Sequence, residues 1–360
     1  MISAVLVILA AICLLATLIP LLPIAHGMVR SFDFGRLQVM VVATAVILVA
    51  LVSGIRTPIN LAAGAMAATA FVIQLVFVLR FTPFWRTQTA RFGGDLGSVA
   101  TISVLACNVK QGNRDYGKVT ALIGECKPDI AVFMETDGAW GEALRPGLAD
   151  YAQIVYQTQE NSYGMVLASR HSLRDCEVRF LLNDEVPSIS CIVALPDGSE
   201  VRIIALHPEP PVPARDTLGR DAEILLVAEE ARDEELPLIV TGDLNDVAWS
   251  RTTRRFLRIS GLLDPRQGRG LFNSFDARYW FLRWPLDHIF HSRHFELVSI
   301  ERQRFVGSDH FPMYYRLALT DADRNEPPEE PDADDMKEAD EAVRTEKSRS
   351  RRPPGTDWEE

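Results

Sequence analysis

Eight polar residues stand at the ends of apolar runs in this chain: Asn108 in LACNV, Glu135 in VFMET, His207 in ALHPEPP, Asp243 and Asn245 in VTGDLND, Asp287 in PLDHIF, and Asp309 with His310 in GSDH. Carboxylates and carboxamides supply hard oxygen ligands suited to Mg²⁺ or Mn²⁺. Two separated histidines can act as acid and base. Cleavage of phosphate esters uses that combination. A serine-hydrolase reading fails, because no G-x-S-x-G occurs.

Each residue has a plainer reading. Glu135 is a metal ligand projecting from a strand end, or an exposed helix cap. Asp243 and Asn245, two apart after the tight turn that Gly242 permits, can both reach one phosphate, or they close an Asx turn. A carboxamide beside a phosphate donates hydrogen bonds without adding negative charge. His207 precedes the stiffening Pro208, Pro210 and Pro211; alone it reads equally as structural. Asp309-His310 is either a local carboxylate–imidazole pair or two residues pointing apart. In the second case Asp287, from another strand, orients the imidazole.

The elements that must hold these groups alternate from residue 101 onward. Strands are expected at 102–109, 130–134, 165–169, 188–195, 201–206, 238–241, 288–291, 295–300 and 313–318, and helices at 116–125, 221–231 and 252–259. Hairpins mixed with strand–helix–strand units imply two packed sheets covered by helices. The five cysteines show neither C-x-x-C nor zinc spacing and demand no oxidising compartment.

In this order the motifs closely resemble the endonuclease/exonuclease/phosphatase superfamily over about residues 101–318. The resemblance implies a four-layer α/β sandwich of the deoxyribonuclease I type. It implies Mg²⁺ or Mn²⁺ held by Glu135 and Asp309, phosphate contacts from Asn108 and Asn245, and a catalytic His207 that contacts the scissile phosphate or aids the leaving group. It gives Asp243 the alignment of the nucleophile and His310 the role of base, oriented by Asp287. The family's usual Gln-Glu dipeptide is Met134-Glu135 here, which keeps the ligand.

Residues 1–80 are of a different kind. Uncharged stretches at 2–25, 37–54 and 59–79 approach the roughly 20 residues that span a bilayer. Three transmembrane helices are therefore expected, then a linker over 81–100 with a flexible Gly93–Ser98, the catalytic domain over 101–320, and a disordered acidic tail over 321–360. This describes a multi-pass protein of a bacterial inner membrane. Three spans put the termini on opposite sides. With the domain in the cytoplasm, the inner loops hold five arginines and the outer loop one, Arg56, so the positive-inside rule leans toward a cytoplasmic site. Membrane-bound members of the resembled family, implicated in lipid-linked phosphates or glycopeptide resistance, favour the opposite side.

Of the net charge of −11, residues 101–320 carry −7. That balance disfavours duplex nucleic acid, which selects a basic footprint. The expected partners are a phosphoester and the lipid bilayer, with lipid-linked or head-group phosphate as substrate. A membrane-tethered nuclease and a non-catalytic scaffold are the alternatives. Arg278-Tyr279-Trp280-Phe281-Leu282-Arg283-Trp284 is ambiguous among base stacking, a lipid interface and core packing.

Overall fold

The structure is a computed structural model that describes residues 2–53, 57–320 and 324–356. Its first four helices are α1 (Ile2–Leu18), α2 (Gly27–Phe34), α3 (Arg36–Val52) and α4 (Pro58–Val78). Small residues let the long ones approach closely. Ala10, Ala43, Ala50, Ala63, Ala67 and Ala70 are buried between them, while Ile8, Ile12, Val41, Leu48, Val72 and Val76 face outward. Ile2–Leu21 and Pro58–Phe81 are each long and apolar enough to cross a membrane. The second expected span, 37–54, differs from its sequence reading. Arg36–Val52 has 17 residues and reaches the required length only together with α2, from which it bends by 63°. Arg56 lies outside the described residues.

Polar groups gather at one end of this bundle. Gln74 accepts from Arg36 Nη1 at 2.7 Å and donates to Thr17 Oγ1 at 3.0 Å, while Arg36 Nη2 meets Asp33 at 2.5 Å. The same end docks on the rest of the chain. Gly27 N donates to the Arg215 carbonyl at 2.8 Å, and a Cβ on Gly27 would stand 1.9 Å from the Val212 carbonyl oxygen. The Trp249 and Trp284 indoles donate to the Asp33 and Phe34 carbonyls, and Gln38 donates to the Phe281 carbonyl.

Beyond residue 100 the helices are α5 (Tyr116–Cys126), α6 (Gly138–Leu144), α7 (Leu218–Arg232), α8 (Arg251–Ser260) and α9 (Ala333–Lys347). The strands are β1 (Thr101–Asn108), β2 (Ile130–Met134), β3 (Gln153–Gln157), β4 (Met165–Ser169), β5 (Ser172–Arg179), β6 (Ser188–Ala194), β7 (Glu200–Leu206), β8 (Leu238–Asp243), β9 (Asp287–His291), β10 (Phe295–Arg302) and β11 (Met313–Leu319). They form two sheets, ordered β10-β11-β1-β2-β4-β3 and β5-β6-β7-β8-β9.

Alternation along each strand decides what lies between the sheets. Ile102 and Val104 of β1, Ile130 and Val132 of β2, Ile203 and Ala205 of β7, and Ile239 and Ile289 share the central core. Leu105, Cys107, Ala131 and Phe133 turn outward onto α5 and α6. Ile204, Leu206 and Val240 turn outward onto α7 and α8. The result is four layers, helix–sheet–sheet–helix. Each buried Val, Leu or Ile contributes roughly 1.5–3 kcal/mol of transfer free energy. The same parity carries Asn108, Asp243 and Asp287 onto the inner faces, at the ends of β1, β8 and β9.

One expectation fails here. The acidic tail was expected to be disordered, yet residues 333–347 form α9. Asp332 and Asp335 make a capping box. Asp335 is gripped by Arg255 at 3.0 Å and Arg258 at 2.6 Å, and Ala339 joins the core beneath α7 and α8. Ion pairs to a distant helix replace the apolar surface that the segment lacks. The aromatic segment divides: Tyr279, Trp280 and Phe281 are exposed, while Trp284 packs against the cluster of Phe81, Val247, Trp249 and Leu286.

Candidate active site

The sheet ends converge on a cavity of about 360 Å³ lined by Glu135, His207, Asn245, Asp309 and His310. Its floor is a hydrogen-bonded chain across both sheets. Asn108 Nδ2 donates to Glu135 Oε1 at 2.8 Å and to Asp243 Oδ2 at 2.9 Å, so one carboxamide ties the end of β1 to the end of β8. Asp243 Oδ1 accepts from the Asn245 backbone at 2.9 Å, and Asn245 Nδ2 donates to the Pro208 carbonyl at 2.9 Å. His310 Nδ1 meets Asp287 Oδ2 at 2.8 Å, and its Nε2 lies 3.4 Å from Asp243 Oδ2.

The two Asp-His dipeptides resolve in the same way, because neighbours in extended chain point apart. Asp309 turns to Lys110 Nζ at 2.9 Å and Arg278 at 3.5 Å, while His310 pairs with Asp287. His288 leaves its strand on the far side and is held by Arg266 at 2.6 Å and by the Asp246 carbonyl at 2.8 Å, a structural position. Thus all eight expected residues meet at one end of the sandwich. Asn108 differs in detail from the expected phosphate ligand, because its amide donors are already spent on two carboxylates.

Backbone conformation is unusual at the same place. Lys110, Glu135 and Asn245 have φ of 58°, 58° and 52°, a left-handed region that side chains other than glycine enter at a cost. Gly242 precedes Asp243 with φ 144°, and a Cβ there would lie 1.9 Å from the Leu206 carbonyl oxygen. Glycine is needed for β8 to lie this close to β7.

Electrostatics divides the site. Burial pulls His310 down, but the Asp287 and Asp243 carboxylates outweigh it and hold the imidazole up at about 10. Burial also pulls His207 down to about 4, with Asp243 opposing. Nδ1 of His207 has no hydrogen-bond partner among the described residues. Burial pushes the Glu135 carboxyl up to about 7, against the Asn108 hydrogen bond and His310, with Asp309 and Asp243 adding to the rise.

A carboxyl raised chiefly by burial, with further carboxylates beside it, is a place that a cation relieves, and the hard oxygens of Glu135 and Asp309 fit a divalent ion. Asp243, Asp287 and His310 also bring ligand-type atoms within 4.8 Å of one another. Both imidazole nitrogens there already face carboxylates, so this trio serves better as a proton network than as a metal cage.

Sequence reading missed Lys110, Tyr163 and Phe34. Lys110 follows Asn108 by two, and a basic side chain so close to an expected phosphate ligand was the available signal. Tyr163 sits 5.8 Å from the His207 ring, and its hydroxyl donates to the Pro354 carbonyl. Phe34, from the corner between α2 and α3, lines the cavity.

Residues 105–310 match the model of the endonuclease/exonuclease/phosphatase family, and this chain belongs to that family. Its members are typically metal-dependent phosphoester hydrolases. Solved structures agree on the fold. An endonuclease/exonuclease/phosphatase protein from Beutenbergia cavernae superposes with a TM-score of 0.52 at 18% identity, covering 61% of this chain and 72% of that one. D. rerio TDP2 complexed with single strand DNA product gives 0.51 at 14% identity, covering 61% and 99%. No curated protein matches the chain.

Proposed function

We propose that this chain is a membrane-anchored, divalent-metal-dependent phosphoester hydrolase acting on lipid-linked or head-group phosphate. The reading is carried by one observation: the network Asp287–His310–Asp243–Asn108–Glu135 lies in a cavity whose wall includes Phe34, at the corner of the apolar helices. Residues 1–80 serve as the membrane domain, 81–100 as the linker and 101–320 as the catalytic unit.

Glu135 and Asp309 would hold Mg²⁺ or Mn²⁺. A divalent ion bound there would supply Lewis-acid polarisation of a phosphoryl oxygen, and its charge would disfavour the protonated form of His310. Asp287 fixes the tautomer of His310 by accepting a hydrogen bond from Nδ1–H, which leaves Nε2 to accept a proton from the attacking water. Asp243 aligns that water. Asn108 keeps Glu135 and Asp243 in register, and reaches phosphate by exchanging one of those bonds. Neutral His207 and the remaining donor of Asn245 receive phosphate oxygens, while Lys110 and Arg278 offset the charge that develops during in-line displacement.

The exposed Tyr279, Trp280 and Phe281 support contact with a lipid interface, since Phe281 is joined to Gln38 at the start of α3. The second reading, a tethered nuclease, draws on the same aromatics as base-stacking platforms and on the DNA-bound fold relative. Arg30, Arg36, Arg80 and Arg86 at the domain-proximal ends favour the cytoplasmic side.

Assaying the full chain in detergent against phospholipids, inositol phosphates, single-stranded DNA and a soluble diester, with and without Mg²⁺, tests the reading. Preference for a lipid phosphate supports it. Preference for DNA moves the conclusion to the nuclease, and no metal-dependent turnover on any of the four refutes both. Reporter fusions after residue 95 give the side: active alkaline phosphatase means outside, a fluorescent protein means inside.

A further inference from the structure

A second cavity, of about 150 Å³, lies where the end of α4 meets α8. Its wall brings Arg80 and Arg86, from the chain leaving α4, together with Arg254 and Arg258 of α8. The acids around it are unevenly shared. Arg80 pairs with Glu329 at 3.0 Å, Arg86 with Glu326, and Arg258 with Asp335 at 2.6 Å. Arg254 has no carboxylate within ion-pair distance among the described residues. Its Nε donates to the Ser250 carbonyl at 3.1 Å, and its guanidinium lies 4.8 Å from the centre of the Phe77 ring. Arg36 lies on the same ring at 3.8 Å.

Arginines crowded around one that lacks an acid repel one another, and partial burial makes the repulsion stronger. Burial, followed by the charges of Arg258 and Arg36, lowers Arg254 to about 10, against the opposing pull of Asp33. An oxyanion relieves this crowding, because guanidinium groups present paired donors that match phosphate oxygens. Of the two acids that line it, Glu329 is 68% exposed at its side chain and pairs with Arg80, and Glu326 is 35% exposed and pairs with Arg86, so neither faces Arg254 as an ion-pair partner. Apolar groups flank the cavity on its α4 side. Val76 on α4 is 62% exposed and Phe84 is 92% exposed, and the Trp85 indole lines the cavity just beyond the end of α4.

We propose that this cavity is a phosphate-class anion site, separate from the catalytic cleft, in which Arg254 with Arg80 and Arg258 holds the head group of an anionic phospholipid whose chains lie along Val72 and Val76 of α4. The anion chemistry stands on the arginines alone. Only the lipid source rests on the proposed membrane location.

The test uses the full chain in detergent micelles, with phosphatidylglycerol, phosphatidylcholine and inorganic phosphate as probes. Thermal unfolding and native mass spectrometry read binding, and hydrolysis of a soluble diester reports folding. Phosphatidylglycerol, but not phosphatidylcholine, should raise the Tm and remain bound. Arg254→Gln should weaken that binding about tenfold, the scale of one lost charge-assisted contact, with Arg254→Lys in between. If Arg254→Gln does not fold, Arg80→Gln/Arg86→Gln on the exposed rim carries the same expectation in weaker form. Inorganic phosphate matching phosphatidylglycerol, with the same dependence on Arg254, would keep the anion site and overturn the lipid source. Equal binding of both lipids, or binding unaffected by the arginine changes, overturns the proposal. Loss of diester hydrolysis in the unmodified chain would count against the catalytic reading and leave this one intact, because binding is read without turnover.

Discussion

His310 and His207 face each other across the cleft and are buried to nearly the same degree, 4% and 3% exposed, yet their protonation is driven in opposite directions. On the His310 wall two carboxylates lie within 3.4 Å of the ring. On the His207 wall the nearest carboxylate is 3.9 Å away, one ring nitrogen has no partner, and an aromatic ring takes up the remaining space. Burial alone would have depressed both. Proximity of charge, not depth, separates a proton-handling histidine from a neutral one. The two walls also come from different parts of the sandwich, His310 from the chain leading into β11 and His207 from the end of β7.

The hardest test of this contrast removes the charged wall. His310→Ala and Asp243→Ala should each lower kcat about 10³-fold, within the range of lost general acid–base catalysis, with unchanged circular dichroism. Activity within tenfold of the parent chain would mean that this wall does not handle the proton.

Chelation comes next. EDTA should cut turnover at least about 100-fold, and Mg²⁺ or Mn²⁺ should restore it. Glu135→Gln should raise the metal concentration needed for half-maximal rate. Turnover that persists in EDTA would remove the metal from the charged wall and leave Glu135 with a structural role.

The neutral wall predicts a pH dependence of stability. His207 titrates near 4 when folded, against about 6.5 in an unfolded chain. Between those values the unfolded state binds a proton that the folded state refuses. The stabilisation is therefore complete above pH 6.5 and is lost as the pH falls toward 4, by about 3 kcal/mol at most. Denaturant titrations at pH 7 and pH 4.5 should show His207→Gln losing less stability over this interval than the parent chain. Equal losses would mean that the ring reaches solvent.

The smallest effect concerns the rim. Phe34→Ala should raise KM for a vesicle-presented phospholipid about fivefold, the scale of one aromatic contact, while leaving a soluble diester unaffected. A parallel rise for both substrates would make Phe34 a packing residue and separate the membrane helices from substrate selection.

The positions of these residues were legible wherever the chain alternates cleanly. Ile102 and Val104 against Leu105 and Cys107 fix the facing of β1, and with it the side from which Asn108 projects. The same parity holds for Ile239 and Asp243. It fails for β5, whose sequence SLRDCEVR is polar, exposed and interrupted by a register shift between Arg174 and Glu177, so no periodic signal survives. It fails for α9, because composition cannot reveal that Asp335 will meet Arg255 and Arg258, 77 or more residues earlier. Lys110 and Tyr163 were missed for a related reason: their roles depend on which loops meet, and loop encounters leave no local pattern. The bend between α2 and α3 was hidden as well, since Asp33 and Arg36 look like loop charges until their pairing at 2.5 Å is seen.

The docking of the helices on the catalytic layers carries its own optical label. Trp249 and Trp284 donate their indole N–H groups to the carbonyls of Asp33 and Phe34, and both rings are packed among aromatic neighbours from the two sides of the junction. Separation of the α2–α3 corner would break both bonds and hydrate both indoles at once. Their fluorescence would shift to the red as a pair, so the light emitted by this chain reports whether its membrane-type helices and its catalytic cleft are still joined.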